Sequence, residues 1–300
     1  MDHRPAVRFA FAHNTAPATA TKASAPTDSF AFSTSWLATH GQPSLPVHGQ
    51  AAYLVDLDAR QVLWQRDADT PRAPASLTKL MTAMVAVDDA GSLDRVVTVT
   101  QEATQIEPSV MGLSAGERLT VRELLYGLLL ESGNDAAEAL AQGLVPRFLF
   151  IKQMNMKAAA IGLTATHFVN PSGLDADGHE MSARDLVHEA AYLETYYPQL
   201  AAIGATKQIT IAATADHKAF YAQNLNRMLW TYPGVNGLKT GFTDNAGGCW
   251  LDTATRGGRH LIVVVMNATH QSFNDAAVLL DYGFSVHPQL GLGSLTGSPS

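Results

Sequence analysis

The chain has 300 residues, of which 46% are hydrophobic and 16% charged, and its formal net charge is -7 at pH 7. This composition predicts a globular protein and excludes wholesale disorder. The negative charge and the scattered Lys and Arg residues exclude a nucleic-acid partner, and no apolar run is long enough for a transmembrane anchor.

The first 46 residues are predicted to lie outside the folded domain, as a disordered or leader-like tail. They are rich in Ala, Thr, Ser and Pro, and their apolar stretch at 9–12 is preceded by Arg8. That stretch is too short for the hydrophobic region of a secretory signal, so a solvated tail, a processed leader and a misassigned start all stay open. We expect one folded domain over 47–287 and a short tail over 288–300.

A hairpin and a buried helix are predicted at the start of this domain. Residues 53–64 contain two apolar segments around a polar turn, which is typical of a β-hairpin. Apolar residues then recur at helical spacing from Leu77 to Val87, before Gly91. Ser76 therefore lies at the start of a buried helix.

The middle of the chain, about 95–205, is predicted to be an inserted helical subdomain. Thr120 and Glu123 have the spacing of a capping box before a leucine-rich helix, which is interrupted at 132–134. Further helices are expected up to about Leu144, from about Phe148 to Gly162, and after a cap at Ser182.

The last third returns to strands, with a hairpin turn at Gly257-Gly258. A final helix is expected from about Phe273 to Tyr282, closed by Gly283. Strands near both chain ends predict an α/β (α+β) fold, with one antiparallel sheet built from N- and C-terminal segments and covered by helices. The strands of this part are expected at 208–211, 235–240, 249–254 and 260–266.

Cysteine and histidine usage gives no support for a metal or redox site. Cys249 is the only cysteine and lies in an apolar run, so we predict a buried core residue rather than a reactive thiol. None of the 11 histidines has the three- or four-residue spacing that places two imidazoles on one helix face. We predict no metal ion and no cofactor.

The first motif with residues suited to catalysis is Ser76-Leu77-Thr78-Lys79, at the predicted helix start. Residues three apart share a helix face, so the Lys79 amine can reach the Ser76 hydroxyl. A lysine with a lowered pKa can take the serine proton and make the hydroxyl a nucleophile. By itself the motif is more typical of a helix start with a solvated lysine, which is its default interpretation.

The second motif is Ser132-Gly133-Asn134, in the break between two apolar helices. A break of this kind can direct a hydroxyl that relays a proton and an amide that holds a substrate. Its alternative is an ordinary helix junction, with Gly133 ending one helix and Asn134 capping the next.

The third motif is Lys239-Thr240-Gly241, at the end of a predicted strand. A cation, a hydroxyl and a residue without a side chain allow an extended peptide to lie along the strand while its carboxylate is bound. The alternative is the surface end of a hairpin.

All three motifs occur in the order nucleophile, helix junction and late strand, which is the order found in β-lactamases and penicillin-binding proteins. With the neighbouring residues, the chain resembles the serine-type D-Ala-D-Ala carboxypeptidases, the low-molecular-mass penicillin-binding proteins of peptidase family S11. The resemblance extends from about Ala51 to Phe284 and makes 47–287 the catalytic domain. It is carried by the segments Pro74–Thr82, Ser132–Ala137, His167–Leu174 and Pro233–Gly241.

The resemblance implies a DD-peptidase/β-lactamase-like fold and a serine acyl-enzyme mechanism without a cofactor. Ser76 would attack the carbonyl between the two terminal D-alanines of a peptidoglycan stem peptide, Lys79 would be the base, and Ser132 would pass the proton to the departing D-alanine. β-Lactam antibiotics would acylate the same serine. The substrate implies an extracytoplasmic location.

The resemblance also implies the binding groups. Asn134 would hold the substrate amide, Lys239 and Thr240 would bind the terminal carboxylate, and Gly241 would leave room for the peptide. The backbone N–H groups of Ser76 and Phe242 would form the oxyanion hole, in which each donor contributes about 3 kcal/mol in the transition state.

The sequence departs from the family where relatives carry a carboxylate-binding arginine, because Asn274 occupies that position. Arg259 and His270 are nearby in sequence and are candidates to replace it. The alternatives to a carboxypeptidase are a serine β-lactamase or esterase on the same scaffold, and a non-catalytic β-lactam or cell-wall sensor. No Glu-x-x-Leu-Asn segment of the kind that supports β-lactamase deacylation is found, so we expect slow penicillin hydrolysis.

Overall fold

The computed structural model of the protein describes residues 30–268 and 272–288. The strands are β1 Ala51–Asp56, β2 Gln61–Arg66, β3 Val96–Thr98, β4 Arg118–Thr120, β5 Gln208–Ile211, β6 Phe220–Gln223, β7 Val235–Thr243, β8 Gly247–Arg256 and β9 Arg259–Ala268. The helices are α1 Ser35–His40, α2 Lys79–Ala90, α3 Val121–Leu130, α4 Asn134–Leu144, α5 Arg147–Ala160, α6 Ala183–Tyr196, α7 Pro198–Gly204, α8 Met228–Thr231 and α9 Ser272–Ser285. Short 3₁₀ turns are Ala75–Thr78 and Glu102–Thr104.

A five-stranded antiparallel sheet, in the order β2-β1-β9-β8-β7, joins the two ends of the chain. Tyr53 of β1 is opposite Val264 of β9, and β8 continues into β9 across the Gly257-Gly258 turn. All of β1 and most of β9 are buried, which explains why these strands are apolar on both faces. The α/β fold with a sheet built from N- and C-terminal segments is confirmed.

Helices cover the sheet on both faces. On one face, α6 packs on β1 and β9, and the 3₁₀ turn Ala75–Thr78 packs on β7 and β8. The helix that follows this turn, α2, packs against α3, α4, α5 and α6, and every residue from Lys79 to Ala86 is buried. On the other face, α9 packs on β8 and β9 through Leu279 and Leu280. A side chain at the start of α2 therefore lies deep between the sheet and the helical region.

The capping box and the helix break occur as the sequence predicts. Thr120 Oγ1 accepts from the Glu123 amide, and the Glu123 carboxylate accepts from the Thr120 amide at 2.8 Å. The helix so begun, α3, ends at Leu130, and α4 begins at Asn134. The segment between them turns sharply, with Ser132 at φ +63°.

Two predictions about the last third are wrong in detail. The final helix does not end at Gly283 but continues to Ser285. An added Cβ at Gly283 would lie 2.7 Å from Leu261 Cδ1, so this glycine permits close packing of the helix on the sheet rather than ending the helix. The strand at 208–211 is present, but it pairs with β6, which the sequence did not predict, and not with the main sheet.

Packing begins before residue 47, where the predicted tail ended. Phe30 is buried in the core, and Ser33 N donates to Arg60 O at 2.9 Å. Trp64 Nε1 donates to Pro43 O at 3.0 Å, which attaches this segment to β2. Residues 30–46 therefore belong to the domain, and the rest of the predicted tails, 1–29 and 289–300, lies outside the described residues.

Cys249 is fully buried in the protein interior, which favours the uncharged form of its thiol. Burial raises its pKa to about 11, so the predicted core role is confirmed. In the described part of the chain, no helix is both long and apolar enough to cross a bilayer. The same residues contain no group of three His, Cys, Asp or Glu side chains suited to hold a metal ion.

The capping box gives a first testable prediction. Thr120→Ala should lower the free energy of unfolding by about 1 kcal/mol, because the first turn of α3 loses a hydrogen-bond acceptor. Urea unfolding followed by circular dichroism measures the change. Thr164→Ala, at an exposed position in the loop after α5, is the control and should change the free energy by less than about 0.5 kcal/mol. Equal losses in the two variants would contradict the role of the cap.

Candidate active site

Ser76 lies in the 3₁₀ turn Ala75–Thr78, which leads directly into α2. The preceding residue, Ala75, has φ +50°, a left-handed conformation that L residues seldom adopt and that the surrounding structure must hold. The Thr78 hydroxyl donates to the Ala75 carbonyl at 2.9 Å and holds the turn. The turn places Ser76 beside Lys79, as the three-residue spacing predicts.

The Lys79 amine is enclosed by three oxygen atoms. Its Nζ lies 2.8 Å from Ser76 Oγ, 2.7 Å from Asn134 Oδ1 and 2.5 Å from the Ser172 carbonyl oxygen. The residue is fully buried, and no carboxylate forms an ion pair with it among the described residues. Ser76 is therefore the polar neighbour of Lys79 that can exchange a proton with it.

Burial lowers the pKa of Lys79 well below that of a solvated lysine, and the nearby Lys239 cation lowers it further. The Asp135 carboxylate acts in the opposite direction and is the weaker influence. Since the free amine is the form that accepts a proton, both larger effects favour a base at this position.

The Ser132-Gly133-Asn134 segment joins α3 to α4 and lies at the cleft that Ser76 lines. Ser132 is buried, and its left-handed backbone turns it into the cleft that Ser76 lines. Asn134 Nδ2 donates to the Glu107 carbonyl at 2.7 Å, so its Oδ1 faces Lys79. Both ends of the Asn134 amide thus bind protein atoms, and one of them holds the lysine.

The Lys239-Thr240-Gly241 segment lies on β7, the strand at the edge of the sheet. Lys239 is buried, which lowers its pKa to about 7, and its Nζ donates to Thr240 O at 2.9 Å. An added Cβ at Gly241 would lie 2.7 Å from Ser76 N. The absence of a side chain at Gly241 therefore lets the strand approach the nucleophile.

These segments enclose one cleft of about 400 Å³. Ser76 lies in its wall with Ser132, Asn134, Thr240 and Gly241, while the two lysines lie beneath it. Phe242, whose amide is a predicted oxyanion donor, follows Gly241 and is 61% exposed at the rim. The structure thus brings six of the predicted site residues to one cleft, with Lys79 bound to Ser76 and Lys239 close enough to lower the pKa of Lys79.

Comparison with known proteins identifies the family. The sequence profile of the D-alanyl-D-alanine carboxypeptidases, peptidase family S11, matches residues 38–270. The chain belongs to this family. These matches confirm the family resemblance that the sequence motifs indicated. They also confirm the classification as a hydrolase of the serine carboxypeptidase type.

The carboxypeptidase is similar to curated proteins over most of its length. It is 36% identical to D-alanyl-D-alanine carboxypeptidase DacB2 of Mycobacterium tuberculosis, over 87% of this chain and 92% of that protein. It is also 36% identical to DacF of Bacillus subtilis, over 80% of this chain and 64% of that longer protein.

Solved structures have the same fold. The crystal structure of a D-alanyl-D-alanine carboxypeptidase from Mycobacterium tuberculosis superposes with a TM-score of 0.78 at 36% identity, covering 85% of this chain and 98% of that one. The Streptomyces K15 DD-transpeptidase superposes with a TM-score of 0.76 at 31% identity, covering 82% of this chain and 99% of that one.

Arg259 does not replace the family arginine in this carboxypeptidase. Its guanidinium donates to the Asp56 carboxylate and to the carbonyls of Gly283 and Val286. It lies five residues along β9 from Val264, which is level with Lys239, a separation of about 17 Å. The other candidate, His270, lies outside the described residues, and Asn274 is exposed in the first turn of α9.

Sequence reasoning assigned no role to Asp135, which organises one wall of the cleft. Its buried carboxylate accepts from the amides of Met111, Gly112 and Leu113 at 2.8, 2.8 and 2.9 Å. These bonds fix the loop that follows residues 108–109, which line the cleft. The sequence signal for a role of Asp135 in the site was its position directly after the Ser132–Asn134 motif.

The Asn170–Leu174 loop lies within His167–Leu174, one of the segments that carry the family resemblance, and no role in the site was predicted for it. In the structure, the carbonyl of Ser172 binds Lys79, and Gly173 lies against the carbonyl of Ala75. An added Cβ at Gly173, where φ is +85°, would lie 1.9 Å from that carbonyl oxygen. The loop therefore supports both the base and the turn that carries the nucleophile.

Gly173 and Gly178 form a matched pair for testing this contact, because both have left-handed backbones, with φ +85° and +75°. Gly173→Ala should lower the free energy of unfolding by about 3 kcal/mol or more, through backbone strain together with overlap on Ala75 O. Gly178→Ala meets only His167 Nδ1, at 3.9 Å, and should cost about 1 kcal/mol from strain alone. Denaturant unfolding measures both, and equal costs would show that the contact is unimportant.

Proposed function

We propose that the protein is a D-alanyl-D-alanine carboxypeptidase that removes the terminal D-alanine of peptidoglycan stem peptides through an acyl-enzyme on Ser76. The observation that carries the proposal is the buried Lys79 amine, 2.8 Å from Ser76 Oγ. Action on the cell wall places the enzyme outside the cytoplasm. β-Lactams, which imitate the end of the dipeptide, acylate the same hydroxyl.

The partners of Lys79 determine the direction of proton transfer. Asn134 Oδ1 and the Ser172 carbonyl can only accept hydrogen bonds, so in the neutral amine they take its two N–H groups. The lone pair then faces Ser76 Oγ and accepts its proton as the oxygen attacks the substrate carbonyl. This geometry supports the proposal that Lys79 is the base, with Asn134 and Ser172 holding its amine.

The remaining site residues serve the leaving group and the substrate. Ser132, which also lines the cleft, relays the proton to the nitrogen of the departing D-alanine as the C–N bond breaks. Lys239 and Thr240 bind the terminal carboxylate, and the amides of Ser76 and Phe242 stabilise the oxyanion. Contact between Asn134 and the substrate amide stays a prediction, because both ends of its side chain already bind protein atoms.

The proposal predicts release of D-alanine from a diacylated tripeptide that ends in D-Ala-D-Ala. Wild-type protein should release it, whereas Ser76→Ala should lower the rate by about 10⁴-fold or more because the acyl-enzyme cannot form. Intact-mass measurement should show one benzylpenicillin adduct on the wild type and none on Ser76→Ala.

Two outcomes would favour the alternatives. Rapid turnover of benzylpenicillin without D-alanine release would indicate a β-lactamase or esterase. Binding of the peptide or the antibiotic by the wild type, without release of D-alanine, would indicate a sensor module.

A similar solved structure is that of a DD-transpeptidase, so acyl transfer to a second peptide is also tested. Adding an acceptor amine to the reaction shows whether part of the acyl group passes to it instead of to water.

The lowered pKa of Lys239 predicts a pH dependence of substrate binding. With a pKa of about 7, this lysine is a cation below pH 7 and increasingly neutral above it. If the cation binds the terminal carboxylate, affinity should fall by up to about tenfold per pH unit above that value. Calorimetric titration of the tripeptide into Ser76→Ala, which cannot turn it over, measures this directly.

The same peptide with a C-terminal amide is the control for this titration. It lacks the anion, so its weaker binding should not change between pH 6 and pH 9. A parallel pH dependence for the acid and the amide would assign the titration to another group, and a flat profile for both would contradict a carboxylate-binding role of Lys239.

A further inference from the structure

A buried histidine lies behind the nucleophile and has no part in the mechanism above. His179 is 5% exposed and joins three hydrogen-bonded groups into one line. Val169 N lies 3.0 Å from its Nδ1, its Nε2 lies 2.8 Å from Thr78 Oγ1, and that oxygen lies 2.9 Å from the Ala75 carbonyl oxygen. The line ends on the peptide bond that precedes Ser76.

The Val169 N–H at the start of this line determines the direction of every hydrogen bond in it. A backbone N–H can only donate, so His179 Nδ1 must be an acceptor and the ring proton must be on Nε2. Nε2–H then donates to Thr78 Oγ1, and the hydroxyl proton is directed to the Ala75 carbonyl. Burial lowers the pKa of His179 to about 4, so the ring is neutral at physiological pH, as this arrangement requires.

The Ala75 carbonyl and the Ser76 amide belong to the same planar trans peptide group. Fixing the carbonyl oxygen therefore fixes the direction of the Ser76 N–H, which points the opposite way. Ser76 N faces Gly241, on the cleft side. A hydrogen bond to the carbonyl also polarises the peptide and strengthens its N–H as a donor.

We propose that His179 is a positioning residue, which acts through Thr78 to orient and polarise the Ser76 amide as an oxyanion donor. The inference rests on the proposed function, since the oxyanion belongs to acylation of Ser76. It adds to that function a residue that lies outside the three motifs and touches neither substrate nor nucleophile.

Two amide variants separate the functions of the two ring nitrogens. His179→Asn places an acceptor near the position of Nδ1 and keeps the bond from Val169, but it does not reach Thr78. His179→Gln places an amide donor near the position of Nε2 and keeps the bond to Thr78. If His179 had only a structural role, the two variants would change the acylation rate equally. If it positions Thr78, only His179→Gln should retain that rate.

The acyl-enzyme formed with benzylpenicillin gives the decisive signal. His179→Asn should slow acylation about tenfold, since a donor is misdirected rather than lost, and His179→Gln should stay within about threefold of the wild type. In infrared difference spectra, the ester carbonyl band of the adduct should move to higher frequency in His179→Asn but not in His179→Gln, because weaker oxyanion-hole bonds polarise the carbonyl less.

A double-mutant cycle with Thr78 tests the route. Thr78→Val should lower the acylation rate as His179→Asn does, and the two changes together should cost no more than one of them. Thr78→Ser, which keeps the hydroxyl, is the matched control and should retain the wild-type rate. If the His179 variants do not fold, the Val and Ser variants of Thr78 give the same comparison of rate and carbonyl band.

The amide of Ser76 can also be observed without any reaction. In protein labelled with ¹⁵N-serine, the resonance missing from Ser76→Ala should shift in His179→Asn and stay in place in His179→Gln. Unchanged amide and carbonyl signals in a folded His179→Asn, or equal effects of Asn and Gln, would overturn the inference. A wild type that forms no adduct would instead contradict the proposed function, and the amide resonance would still decide the role of His179.

Discussion

The site depends on the removal of one ammonium group from water. Lys79 is placed at the N-terminal end of a helix whose residues 79–86 are all buried, and its amine meets only neutral oxygens. Burying an uncompensated charge is costly, so the surroundings favour the neutral form of the side chain. In the proposed mechanism, Ser76 is reactive because the fold makes the cationic form of Lys79 unfavourable.

Each part of the scaffold contributes to that enclosure. The helix junction supplies Asn134, and the Asn170–Leu174 loop supplies a carbonyl. The edge strand β7 supplies a second buried lysine, Lys239, whose positive charge disfavours a positive charge on Lys79. Asp135 holds the loop beside the helix junction, and Gly241 allows β7 to approach Ser76. Catalytic groups are therefore distributed over the whole chain, although the chemistry occurs at one oxygen.

The sequence predicted the groups that act through their own side chains at regular spacings. Ser76 and Lys79 follow helical geometry, and the order of the three motifs placed Lys239 on a strand near them. It did not predict contacts that depend on backbone position, such as the Ser172 carbonyl on Lys79 or the packing of residues 30–46 on β2. Gly283 shows the reason: a residue that often ends helices serves here through its lack of volume, and only the packed structure distinguishes the two uses.

The pairing of β1 with β9, and the contact of Gly241 with Ser76 N, have a consequence for folding. Lys239 and Gly241 lie far from Ser76 along the chain, so the arrangement has a high contact order and is expected to assemble late. During synthesis, a chain that has not yet added β7, β8 and β9 contains Ser76 and Lys79 but lacks Lys239 and Gly241. Under the proposed function, the groups that bind the substrate carboxylate are therefore in place only when the C-terminal strands have joined β1 in the sheet.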